Sequence, residues 1–312
     1  MTTRRPRWSP ATSVRAQYLA AAATWGASFL FIKIGLEGLS PGQVVLGRLV
    51  TGALALGVVC TLSRQRLPRE PVVWAHLTVL AVLLCVAPFL LFAWAERSVS
   101  SGSASVLNAT TPLMTAAVAL AALPQERLTR PRLLGLLVGF AGVVVVLAPW
   151  RAGGDGAGGD GTVGGGARWG QAACLLATLC YGVAFVYLRR HVAPRRLPAV
   201  PVATVQIGLA AVLMLALTPL VADQPAHLTG RVVAAVAALG ALGTGLAYVW
   251  NTNVVSGWGA TRASTVTYLT PLVGVVAGAL VLGERVGWNE PVGALVVVLG
   301  IAVHHRAAAR PG

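Results

Sequence analysis

Apolar residues in this chain come in long unbroken runs, and charged residues or Pro/Gly breaks separate one run from the next. A bilayer core about 30 Å thick needs roughly 20 helical residues, and the runs reach that length. The pattern predicts ten membrane-spanning helices, at roughly 16–36, 42–63, 72–94, 102–124, 132–148, 169–188, 200–221, 232–250, 259–282 and 291–304. Composition points the same way. Hydrophobic residues make up 56% of the 312 positions and charged residues 11%, with a mean hydropathy of +0.75. A water-soluble domain of this size carries about a quarter charged residues, so the chain is an integral membrane protein of all-α class.

A unit of sequence occurs twice. Pro112 … Glu126-Arg127 … Gly135 … Gly142 returns as Pro271 … Glu284-Arg285 … Gly293 … Gly300. Upstream, Trp25-Gly26-x-x-Phe29-x-x-x-Lys33 returns as Tyr181-Gly182-x-x-Phe185-x-x-x-Arg189, and Trp94 returns as Trp250. Five spans per copy is an odd number, so the second copy enters the membrane from the opposite side. The expected architecture is therefore ten transmembrane helices as two inverted five-helix repeats, residues 1–150 and 169–312, joined by an external Gly-rich linker at 151–168. Inverted repeats are an architecture of secondary transporters, with the site near the midplane between the halves.

Charge sets the expected orientation. With the N-terminus inside, 16 of the 24 Lys and Arg residues fall in cytoplasmic segments, five fall outside, and Lys33, Arg48 and Arg262 lie within spans. That bias follows the positive-inside rule and puts both termini in the cytoplasm of a multi-pass cell-membrane protein. The net charge of +15 reads as anchoring against anionic lipid, and no basic stretch interleaves aromatics as nucleic-acid binding would require. Arg4-Arg5 before an apolar run imitates a twin-arginine signal, but the apolar pair expected after the arginines is missing and nine further spans follow.

Trp74, Trp94, Trp150, Trp169, Trp250, Trp258 and Trp288 fall near predicted span ends and read as an interfacial belt. Cys60, Cys85, Cys174 and Cys180 lack metal or redox spacing and read as packing residues. The linker holds nine glycines with Asp155 and Asp160, too short an array for calcium. No metal and no cofactor is expected.

Two modules, each beginning near Trp-Gly-x-x-Phe and ending in a polar-proline helix, Glu-Arg and a glycine-rich span, resemble the two EamA domains of the drug/metabolite transporter superfamily. The resemblance covers nearly the whole chain. It implies a secondary transporter, mostly an exporter of amino acids or other small polar metabolites. A lipid-linked substrate flippase or a multidrug exporter of the same fold is the alternative. It also implies that the fourth and ninth helices line the central pathway.

Those helices carry the candidate contacts. Ser105, Asn108 and Pro112 are spaced to share one helical face, and Ser264, Thr267 and Pro271 repeat the spacing with Tyr268 beside them. Both prolines free backbone carbonyls within a span. Trp25 sits mid-span, and its counterpart Tyr181 is also aromatic, so the pair is expected either to gate the pathway or to pack beside Gly26 and Gly182. Gly135/Gly139 and Gly274/Gly278 have the spacing of close helix approach.

The charge candidates are Lys33, Glu37 and Arg48. Lys33 and Glu37 are spaced i,i+4 and are expected to pair, and both cations are expected to pair or snorkel before they bind cargo. No Asp or Glu falls inside a predicted span, which argues against cargo that is a lipophilic cation. Glu126 and Glu284 read as structural, capping or pairing. No HExxH, no GxSxG and no intramembrane aspartate pair is present, so the chain does not read as an enzyme. The partners expected are a small-molecule substrate and the bilayer, with a homodimer left open and no nucleic acid.

Overall fold

A computed structural model of the chain describes residues 14–122, 130–148, 165–222, 224–258 and 266–308. All regular structure among them is helical: α1 (Val14–Gly35), α2 (Pro41–Leu62), α3 (Pro71–Ala81), α4 (Ala87–Ala95), α5 (Ser101–Asn108), α6 (Thr111–Ala122), α7 (Arg130–Leu147), α8 (Gly165–His191), α9 (Ala199–Val221), α10 (Gly230–Gly240), α11 (Ala247–Trp258), α12 (Val266–Leu282) and α13 (Asn289–Ala308). Seven continuous or near-continuous rods are long and apolar enough to cross a membrane. Leu133–Leu147, Leu269–Leu282 and Asn289–Val303 are shorter apolar helices. The outer surface is apolar, with Leu220 and Leu280 about four-fifths exposed at 79% and 80%. Side chains of that kind on the surface of a helix bundle face hydrocarbon, and the protein is a multi-pass membrane protein.

Two rods are spliced by π-helical turns in corresponding spans of the two sequence copies, the second starting three residues later in its copy. Val82–Val86 joins α3 to α4, and Ala241–Leu246 joins α10 to α11. A π turn widens the helix and displaces carbonyls from the ordinary ladder, and such turns collect at functional sites. The predicted fourth span is broken: α5 ends at Asn108, the turn at Ala109–Thr110 follows, and α6 begins with Thr111-Pro112. Pro112 supplies no amide, and the Asn108 carbonyl instead accepts from Thr111 Oγ1 at 2.7 Å. The expected common face of Ser105, Asn108 and Pro112 is therefore divided by a kink.

Contacts between helix ends define two faces. On the N-terminal face, Tyr18 of α1 meets Trp258 of α11 with ring centroids 5.4 Å apart, and His76 of α3 stacks on His191 of α8 at 5.2 Å. On the far face, Ser40 and Gln43 form a capping box that opens α2, and Gln43 Nε2 donates to the Gln224 carbonyl at 2.8 Å. Also there, Ser98 Oγ donates to the Gly166 carbonyl at 3.0 Å, and Asn289 Nδ2 to the Val146 carbonyl at 2.9 Å.

Close backbone approach holds α5 against α12. A Cβ at Gly274 would overlap the Ser105 hydroxyl, and one at Gly278 would overlap Ser101 Oγ and the Glu284 carboxylate. The sequence spacing of these two glycines anticipated a close crossing, and the partner is α5. Several bounds differ from expectation. α8 begins at Gly165, inside the stretch read as linker, and α11 continues to Trp258. Trp250 consequently lies within α11, packed with Tyr18 and Trp25 around Ala21 and Ala22, and is not a belt residue. Trp74, Trp94, Trp169 and Trp288 are exposed, and Trp150 lies outside the described residues.

Candidate functional site

Two apolar cores divide the bundle. One gathers Leu49, Leu56, Leu77, Leu80, Ile207 and Met214, and the other Phe29, Leu107, Leu113, Val297 and Ile301. Tyr181 packs against both. Where the cores meet lies a cavity of about 670 Å³, lined by residues of α1, α2, α4, α5, α6, α8 and α11, by Thr270 of α12 and by both π turns. Its deep end holds Arg48 and Phe89. Its lining then runs toward the N-terminal face, past Ala119 and Leu120 near the end of α6, to Arg189 and Asn251. The volume falls in the range of small-molecule sites, and the walls are largely apolar with a few polar groups, as such sites require.

Arg48 is the chemical centre of this cavity. Its Nε donates to Thr244 Oγ1 at 2.9 Å, and its guanidinium carbon lies 3.6 Å from the Phe89 ring centroid. Both partners follow from the π turns: Thr244 lies within the second, and Phe89 sits three residues past the first. Stacking and one hydrogen bond hold the planar fork by its inner side. Among the described residues no carboxylate pairs with Arg48, and Nη1 and Nη2 are left to the cavity. No Asp or Glu lines the cavity.

The Trp25 indole donates to the Gly243 carbonyl at 3.0 Å, again in the second π turn. Gly26, next to it, lies against Val273 and the Thr270 carbonyl, so α1 reaches α12 at this level. Tyr181 stacks on Phe92 with centroids 6.2 Å apart, and both rings line the cavity. Tyr248, Asn108, Asn251, Thr111 and Thr115 add hydroxyl and amide groups.

The remaining sequence candidates fall in several places. Asn108 and Pro112 line the cavity, whereas Ser105 is buried and donates to the Thr270 carbonyl at 3.1 Å, where it ties α5 to α12. Pro271 is buried in α12. Thr267 and Tyr268 lie on α12, their side chains outside the described residues, as is all of Ser264. Lys33 and Glu37 do not pair. Lys33 Nζ donates to the carbonyls of Glu96 and Val99, and Glu37 pairs instead with Arg231 at 3.2 Å. The i,i+4 spacing loses here because α1 ends at Gly35 and Glu37 turns away toward α10. Arg48 does not snorkel, since Phe89 and Thr244 hold it inward. Glu284 caps α5: its Oε1 accepts from Ser101 N at 2.9 Å, and its Oε2 from Ser101 Oγ at 2.7 Å. Glu126 lies outside the described residues.

Phe89, Thr244, Tyr248 and Asn251 were not singled out by sequence reasoning. The signal available for Thr244 was a polar residue between two glycines, Gly243-Thr244-Gly245, in the middle of an apolar span.

The profile of the EamA-like transporter family matches residues 16–148 and again 168–304. The chain belongs to this family. Among curated relatives, the "Uncharacterized transporter YdfC" of Bacillus subtilis is 26% identical over 89% of this chain and 86% of its own length. The "Probable terminal-alkyne amino-acid exporter" of Streptantibioticus cattleyicolor is 26% identical over 91% of this chain and 90% of its own. A protein of known crystal structure superposes with a TM-score of 0.62 at 23% identity, covering 95% of this transporter-family chain and 97% of the other, which shows the fold.

Proposed function

We propose that this protein exports a small carboxylate-bearing metabolite, an amino acid or a near analogue, by alternating access. The observation that carries the reading is Arg48, a half-buried cation with two unpaired nitrogens facing a cavity that contains no acid. A guanidinium fork binds a carboxylate through two parallel charge-assisted bonds. A cationic cargo would meet like charge and no counterion, which costs several kcal/mol in a dehydrated site, as an order of magnitude. The amide and hydroxyl groups of Asn108, Asn251, Tyr181 and Tyr248 suit the polar remainder of such a cargo. A relative named for amino-acid export is consistent with this class.

In this reading the three shorter helices also cross the bilayer, which makes ten spans in two inverted halves. Both termini are cytoplasmic, the cavity as described is accessible from the cytoplasm, and the far face is external. Expression in a sensitive host should raise tolerance to toxic amino-acid analogues and leave tolerance to quaternary ammonium compounds unchanged. The reverse pattern refutes the cargo class.

A further inference from the structure

The far face holds a carboxylate that does not line the cavity. Glu96 directly follows α4 and is 0% exposed, and neither of its carboxylate oxygens meets a hydrogen-bond donor among the described residues. The three other glutamates described at this end are engaged, Glu37 with Arg231 at 3.2 Å. Glu284 caps α5 through Ser101, and Glu290 Oε1 accepts from Ser103 Oγ and, at 3.3 Å, from Ser100 Oγ. The charged and titratable groups whose fields meet Glu96 are Lys33 of α1, Arg48 of α2, Cys174 of α8 and Glu284 after α12. The closest link is indirect. Lys33 Nζ donates to the main-chain carbonyl of Glu96 itself and, at 3.0 Å, to that of Val99.

An ionised carboxylate with neither water nor donors is costly, whereas the neutral acid has a single O–H to place. The observed arrangement therefore suits a protonated Glu96. In that state Lys33 has no anion to claim it, and it stays on the two carbonyls, which pins α1 to the turn that opens α5. Loss of the proton changes the competition. A carboxylate on the same residue is a stronger acceptor for an ammonium than a carbonyl is. Moving Lys33 to it releases Val99 and the start of α5, where Glu284 and Glu290 are also seated.

We propose that Glu96 is a proton-binding site that shuts the far face when occupied and releases it when empty. The step is the making or breaking of one O–H bond on a Glu96 carboxylate oxygen, with the proton exchanged with water on the far face. The shut state holds the proton, so it is favoured at low pH and lost as pH rises.

Hydrogen–deuterium exchange on the full-length protein in lipid nanodiscs tests the switch without any cargo. After correction for intrinsic exchange, amides of residues 96–105 should lose about tenfold in protection between pH about 5 and about 9, a range that spans the behaviour of buried glutamates. Glu96→Gln, which keeps the neutral shape, should stay protected at both. A wild-type segment with no pH response overturns the proposal, as does a Glu96→Gln variant that responds like wild type. If Glu96→Gln fails to insert, Lys33→Met decides: low protection at both pH values supports the switch, and a retained wild-type response refutes it. Because no cargo is present, a negative result leaves the carboxylate reading standing, and failure of Arg48 variants leaves this one untouched.

Discussion

Replacing Arg48 by Met separates its role in cargo binding from any role in folding. The thioether chain fills a similar volume and keeps a favourable contact with the Phe89 ring, so the α2–α4 packing survives. What is lost is the charge and the fork. Hydrogen bonds to charged groups are worth about 1.5–3 kcal/mol each, and Nη1 and Nη2 offer two. Losing both weakens cargo binding by on the order of 3 kcal/mol, roughly 150-fold. Stability should not fall in parallel, because the removed cation has no ionic partner among the described residues and its burial carries a desolvation cost. Arg48→Lys keeps the charge but loses the planar fork and the stacking, and should fall between the two. The assay is tolerance to the amino-acid analogue against which the wild type protects, at matched membrane abundance, together with thermal unfolding of the purified protein. Protection by Arg48→Met equal to wild type would refute the anchor. A large drop in unfolding temperature without loss of protection would make Arg48 a structural residue.

Glu284→Ala removes the acceptor for Ser101 N and Ser101 Oγ and should cost about 1–3 kcal/mol, read as a lower midpoint of thermal unfolding; an unchanged midpoint would remove its capping role. Asn108→Leu should reduce export with little effect on unfolding, whereas Ser105→Ala, away from the cavity, should lower stability by about 1 kcal/mol and leave export in place. Equal transport by Asn108→Leu and wild type would return that residue to packing. With the four native cysteines removed, a membrane-impermeant thiol reagent applied outside should label Asp160→Cys and not Leu67→Cys. Labelling at position 67 alone would invert the topology.

The apolar runs by themselves determine that this chain lives in a bilayer and is helical, because no water-soluble fold can hide so much apolar surface. The repeat of Pro112 with Pro271, and of Trp25 with Tyr181, makes duplication legible at the level of letters. Of the cavity, Trp25, Asn108, Pro112, Tyr181 and Arg48 were within reach, since polar and aromatic residues in mid-span have few cheap alternatives to a cavity or a buried partner. Pairings across the bundle were not. Local spacing assigned Lys33 to Glu37, yet the turn after α1 sends Glu37 to Arg231 and leaves Lys33 to the carbonyls of Glu96 and Val99. Glu96 lies just past the third predicted span at 72–94, and its full burial is decided by tertiary packing. Arg48 looked like a snorkelling cation until two π turns, which leave no clear mark in composition, brought Phe89 and Thr244 to it. Sequence pattern specifies which side chains must avoid lipid, but which of them meet depends on helix register and splicing, and these are set by packing between segments distant in the chain.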